Sequence, residues 1–153
     1  MTHHHNDRSN KRSDRGQSLI ETAIVLPVIL LVAVSIFEIG RAYQTSQVLT
    51  NAAREGARIA VMPGTKVADV QSVVKTYLQN GQLGGYASAT VTVNQNMVIP
   101  IGAGNASGSL VTVSYPFSFM VLNPVAKLVV KNSTTGGSGI LLSGKAEMRN
   151  EVQ

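Results

Sequence analysis

GQSLIETAIVLPVILLVAVSIFEI, residues 16–39, decides the fold, and it runs with no break signal into the more polar GRAYQTSQVLTNAAREGARIAVM, residues 40–62. Thr22 to Phe37 are 16 consecutive residues without a charge. At about 1.5 Å per helical residue, Leu19 to Ile39 covers about 31 Å, close to the ~30 Å hydrocarbon thickness of a bilayer. The first reading is a single membrane-spanning helix. The alternative is a core helix of a soluble protein, but 153 residues with three Phe and no Trp offer little core to surround a helix that is apolar on every side.

Two acids bracket the span, Glu21 near its start and Glu38 near its end. A carboxylate in lipid costs at least about 2.5 kcal/mol even on lenient insertion scales, so it needs a partner or a task. Glu38 has a candidate partner in Arg41, one helical turn on. Glu21 has only the basic residues of the leader, and Arg15 lies outside the expected helix.

Working outward, residues 1–16, MTHHHNDRSNKRSDRG, are polar and basic on balance and read as a disordered leader. Arg8, Lys11, Arg12 and Arg15 precede the span, whereas the stretch after Arg41 carries Arg54 and Arg58 against Glu55. The positive-inside rule then places the N-terminus in the cytoplasm and the C-terminal domain outside. His3, His4 and His5 read as part of a solvated tail and are given no function. The net charge of +5 is scattered and forms no dense basic face, which argues against nucleic-acid binding. Cysteine is absent, so disulfides and thiolate metal sites are excluded.

Past Ile39 the helix is expected to continue to about Met62, where Pro63 and Gly64 stop it. From Ser18 that makes roughly 67 Å of rod, with Pro27 either a simple kink or a local melt. Ala52, Gly56 and Ala60, with Ala53 and Ala57, form a stripe of small residues suited to close packing, either on the chain's own sheet or on a second subunit's helix. A second helix is predicted from Lys66 to Asn80, with Thr65 as N-cap and Gly81 as stop.

Beyond it the periodicity becomes two. Ala89, Val91 and Val93 predict one strand, Val111 to Phe119 a second and Ile140 to Met148 the last, with Val98 to Ile101 a short extra strand. Pro116 lacks a donor, so its strand is expected at an edge or bulged there. Gly102 to Gly108 and Asn132 to Gly139 read as flexible loops, and Asn123-Pro124 as the start of a short helix to about Val130. Sequons occur at Asn105 and Asn132. The fold class is therefore α+β. Its parts are a leader over 1–16, a long helix over 17–62 and an external domain over 63–153, with a second helix and a small antiparallel sheet of three to four strands.

Chemistry-bearing groups are sparse. Downstream of the span the carboxylates are Glu55, Asp69, Glu147 and Glu151, with no His or Cys, so neither a metal site nor a nucleophile-base pair is expected. No enzyme activity and no cofactor are expected.

There is no A-x-A cleavage pattern after the apolar core, as an ordinary secretory signal would have. Instead Gly16 precedes the apolar run and Glu21 follows five residues later, which resembles the class III signal of type IV pilins. That resemblance implies cleavage by a prepilin peptidase between Gly16 and Gln17, and a role for Glu21 in pairing with the cationic N-terminus of a neighbouring subunit. GQSLIETAIVLPVILLVAVSIFEIGRAY, NAAREGARIAV and the closing LLSGKAEMRNE together resemble the TadE-like family, pseudopilins or minor pilins of tight-adherence (Flp, type IVc) pili. The resemblance is dense over residues 16–61, recurs at 140–151 and is loose between them. It implies a pilin-like fold and a single-pass cytoplasmic-membrane protein acting in pilus assembly and so in surface adhesion. Its partners would be other pilin subunits, the assembly machinery and the prepilin peptidase, with Glu21, Glu38 and Arg41 as candidate assembly contacts. A different class stays open: a membrane-anchored binding protein outside the cytoplasm that never joins a filament.

Overall fold

A computed structural model of the chain describes residues 10–102, 104–121 and 139–150. Its dominant element is α1 (Asn10–Ala60), 51 residues and so about 76 Å long. It is longer than expected at the N-terminal end. Asn10 to Gly16, read as disordered leader, are helical, because Lys and Arg lose little in extending a helix that the apolar run has already nucleated. The helix is unbroken at Pro27, so the local melt does not occur.

Among the described residues nothing covers the most apolar window of α1. A core helix of a soluble fold is largely buried, which this window is not. Burial along α1 begins only around Glu38 and becomes regular from Thr45 onward.

The second half of α1 carries the domain. After Ala60 the chain turns through Pro63, which cannot prolong the helix, and Gly64, which takes a left-handed φ of 78°. Helix α2 (Val67–Asn80) follows. Its cap residue is Lys66 and not Thr65, and the Lys66 N–H donates to Asp69 Oδ2 at 3.2 Å, so a carboxylate at the third helical position does the capping. At the other end Gly81 stops the helix as expected, but Gln82 takes the positive φ.

A short 3-10 turn (Tyr86–Ser88) leads into β1 (Thr90–Ile101), β2 (Gly104–Phe117) and β3 (Ile140–Arg149), an antiparallel sheet in the order β1-β2-β3. Three sequence expectations are corrected here. The two predicted strands at 89–93 and 98–101 are one strand, β1, with its register shifted between Asn94 and Met97. The predicted loop at 102–108 is mostly strand, since Val98 to Ile101 pair with Gly104 to Ser107 in a hairpin. Ile99 lies across Gly108 so closely that a Cβ there would come within 2.3 Å of Ile99 Cδ1, so a neighbour's bulk imposes strand on a Gly/Ser/Ala run. Pro116, finally, is in the central strand. It is tolerated because β1 begins opposite Ser114, which leaves Pro116 paired on the β3 side alone. The expected helix at 123–130, the loop from Asn132 and its sequon lie outside the described residues; the sequon Asn105 is an exposed position of β2.

Val91, Val111 and Val113 face inward, against Val70, Val74 and Leu78 of α2 and the small-residue stripe of α1. The stripe thus packs on the chain's own elements. Gly56 and Gly144 set the spacing: a Cβ at Gly56 would lie 2.5 Å from Val74 Cγ2, and one at Gly144 would lie 2.4 Å from the Leu49 carbonyl carbon. At the far end Gln95 Nε2 donates to Thr65 O at 3.1 Å, and the buried Ser109 hydroxyl sits 3.3 Å from Ala60 O and 2.7 Å from Asn150 Oδ1. These side chains take up polar groups that the end of α1 would otherwise bury unpaired.

Candidate functional site

The sequence-derived residues fall into two places on α1. Glu38 and Arg41 meet as the helical spacing predicts, with Arg41 Nη2 donating to Glu38 Oε2 at 3.1 Å. What spacing alone does not show is the other side of this carboxylate. Glu38 is 0% exposed, and its Oε1 accepts the backbone N–H groups of both Met120 and Val121 at 2.8 Å each. Arg41 Nη2 also donates to the carbonyl of Ser118, and the guanidinium lies over the Phe117 ring, 4.7 Å from its centroid. Phe119 then meets Phe117 edge-on with centroids 5.3 Å apart.

The pair therefore ties the segment after β2 to the helix at the end of the apolar run. Charge-assisted hydrogen bonds to a carboxylate are about twice as strong as neutral ones, and two adjacent backbone donors on one oxygen fix both position and direction of the chain. Beside the joint, an open cavity of about 220 Å³ is lined by Arg41, Gln44, Thr45, Val48, residues 81–84, Tyr115, Phe117 and Ser118. Tyr115 closes its far wall by donating to Gly84 O. Phe117, Ser118, Met120 and Val121 are the participants that the sequence reading missed. Two of them act through backbone N–H groups, which leave no trace in residue type.

Gly16, Gln17 and Glu21 form the second place, at the opposite end of the apolar run. All three are exposed. A Cβ at Gly16 would meet nothing within 4 Å, so its glycine identity is not required by packing within the chain. Glu21 lines a shallow groove of about 270 Å³ with Ser18, Thr22, Val25, Leu26 and Ile29, and among the described residues no cation lies within ion-pair distance of it. Sixteen helical residues lie between Glu21 and Glu38, an axial rise of about 25 Å. Among the described residues no three metal-ligating side chains cluster.

An exposed apolar helix that continues into a small domain of one further helix and a three-stranded antiparallel sheet defines the class as α+β, and among the described residues one helix is long and apolar enough to cross a membrane. Within that class, the family model described as TadE-like protein matches residues 16–58, little more than a quarter of the chain, in agreement with the resemblance read from the sequence. The match takes in Gly16, Glu21, Glu38, Arg41 and nearly all of the small-residue stripe. Neither a curated protein nor a solved structure matches the chain.

Proposed function

We propose that this protein is a minor pilin or pseudopilin of a tight-adherence type pilus, inserted by α1 in the cytoplasmic membrane and drawn from there into pilus assembly. The observation that carries the reading is the apolar window of α1, which the described residues leave uncovered and which has an exposed acid, Glu21, close to its start. Lipid covers such a surface before assembly and other subunits' helices cover it afterwards. The TadE-like match over the same residues points to tight-adherence pilus systems.

In this reading a prepilin peptidase cuts between Gly16 and Gln17 on the cytoplasmic side, and Gln17 becomes the mature N-terminus. Glu21, one turn in, then pairs with the cationic N-terminus of a neighbour, which offsets the cost of its charge in lipid and sets the axial register between subunits. The four basic residues of the leader support a cytoplasmic N-terminus and an external domain. The protein acts through assembly contacts and carries no catalytic step of its own.

Intact-mass and N-terminal peptide spectrometry of the membrane-associated protein, expressed in a host with its prepilin peptidase, tests the reading. The expected chain begins at Gln17. A chain that begins near Met1 in the same membranes would contradict it and would support an anchored binding protein that never enters a filament.

A further inference from the structure

The domain meets α1 like a second ruler laid beside the first. Ser109 Oγ sits by Ala60 O, and Ser118 O accepts from Arg41. From Ala60 back to Arg41 the helix descends about 28 Å, and from Ser109 to Ser118 an extended strand covers about 30 Å. Strand β2 therefore runs antiparallel along α1 towards the apolar half. Beyond it, Met120 and Val121 are held level with Glu38, at the last turn of the apolar run.

At that level the domain presents apolar side chains outward. Met120 is 66% exposed and Leu141 67%, and Ile140 and Val121 are exposed too; the bonds to Glu38 set Met120 and Val121 at the height of Ile36, Phe37 and Ile39, which are exposed on the helix. Residues 116–121 and 139–142 contain no charged side chain. Among the described residues, Glu38 and Arg41 bring the charges to this height, and they are paired with each other. Moreover, the backbone donors of Met120 and Val121 are already satisfied by a carboxylate and need no water, which is the condition for backbone to enter a lipid interface. Tyr43, exposed on the helix a turn beyond Ile39, is the kind of residue that marks the headgroup level.

We propose that Met120, Val121, Ile140 and Leu141 form a shoulder that is immersed in the leaflet where the span ends, so that lipid supports the domain as well as α1. The occupant is a lipid surface because the patch lies level with the end of the span, because its described residues carry no charge, and because the Met120 and Val121 N–H groups are paired with Glu38. Interfacial elements of this kind sit about 5–10 Å into the headgroup and acyl boundary. The proposal rests on reading residues 19–39 as a membrane span.

The chain has no Trp, so one introduced Trp reports its own surroundings. Full-length single variants Met120→Trp, Leu141→Trp, Leu30→Trp in mid-span and Val98→Trp in the distal hairpin would each be reconstituted at low density. The vesicles would be phosphatidylcholine with a minor fraction of phosphatidylglycerol, brominated either shallow or deep in the acyl chain. All four side chains are exposed, so the substitutions leave the internal packing alone. The Trp at 30 is expected to be quenched by deep bromine. Those at 120 and 141 are expected to lose about half their emission to shallow bromine, as interfacial groups do, and the one at 98 none. If 30 is quenched while 120 and 141 behave like 98, the shoulder is overturned and the span stands. If 30 also escapes quenching, the span reading fails and the shoulder with it. Quenching at 120 and 141 that vanishes as protein density rises would assign the patch to a second copy of the chain and would likewise overturn the proposal.

Discussion

Replacing Glu38 by alanine removes the acceptor of two backbone N–H groups and the counter-charge of Arg41 in one step. Each buried donor left without an acceptor costs about 1–3 kcal/mol, and breaking a buried ion pair from one side costs about 3–5 kcal/mol in comparable settings. The two figures describe overlapping losses, so about 3–5 kcal/mol is expected in total and not their sum. This loss falls on a local contact. The core of Leu49, Val74, Val111 and their neighbours does not touch Glu38 through any of these bonds, so the domain stays folded while residues 118–121 detach. Backbone hydrogen exchange of full-length protein in detergent or lipid discs, followed on peptides covering 118–121, is therefore the direct assay. At 1.4 kcal/mol per decade, exchange there should accelerate by about a hundredfold or more, while peptides of β1 and α2 keep wild-type protection. Glu38→Gln retains an oxygen for the two backbone donors but turns an amide towards Arg41, and is expected to fall between wild type and alanine. Exchange at 118–121 within about threefold of wild type in Glu38→Ala would refute the idea that this carboxylate holds the segment to the helix.

Two further outcomes follow from the same coordinates. Gly144→Ala places a methyl 2.4 Å from the Leu49 carbonyl carbon and 2.5 Å from Thr50 N, atoms of a rigid helix, whereas Gly56→Ala meets the end of the Val74 side chain and gains about 1 kcal/mol of helix propensity. Gly144→Ala should therefore be the more destabilising by about 2 kcal/mol or more in urea unfolding, and the opposite ranking would show that β3 does not approach α1 backbone to backbone. Glu21→Gln keeps the side chain's shape and removes its charge, so membrane levels of the protein should hold while surface pili disappear in a host lacking the wild-type gene. Normal piliation at wild-type protein level would rule out charge pairing as the assembly contact.

The parts legible in the sequence are those whose signal is local. The apolar run at 16–39 announces a helix by its length and composition, the valines of α2 by helical spacing, and Val111 to Phe117 by alternation, because each pattern is written within one element. The misread places have their cause on another element. Gly104 to Gly108 look like a loop until Val98 to Ile101 supply the ladder, and the irregularity at Asn94 to Met97 divides one strand into two apparent ones. Pro116 looks like an edge residue until the shortness of β1 is known. Gly16, Gln17 and Glu21, proposed above as a processing and assembly site, are singled out by their order along the chain, a local signal.

A long N-terminal helix, apolar in its first half and lined with small residues in its second, and an α+β domain after it are legible without any contact being known. The acids at 21 and 38 stand out as exceptions in that helix, but as sequence they look alike. The tertiary structure separates them: Glu21 is exposed on a helix surface that the described residues leave uncovered, and Glu38 is buried and bonded to Met120 and Val121, more than eighty positions further along. The physical reason is that a carboxylate's acceptors are satisfied by whatever donors the fold brings near, and backbone donors carry no residue code.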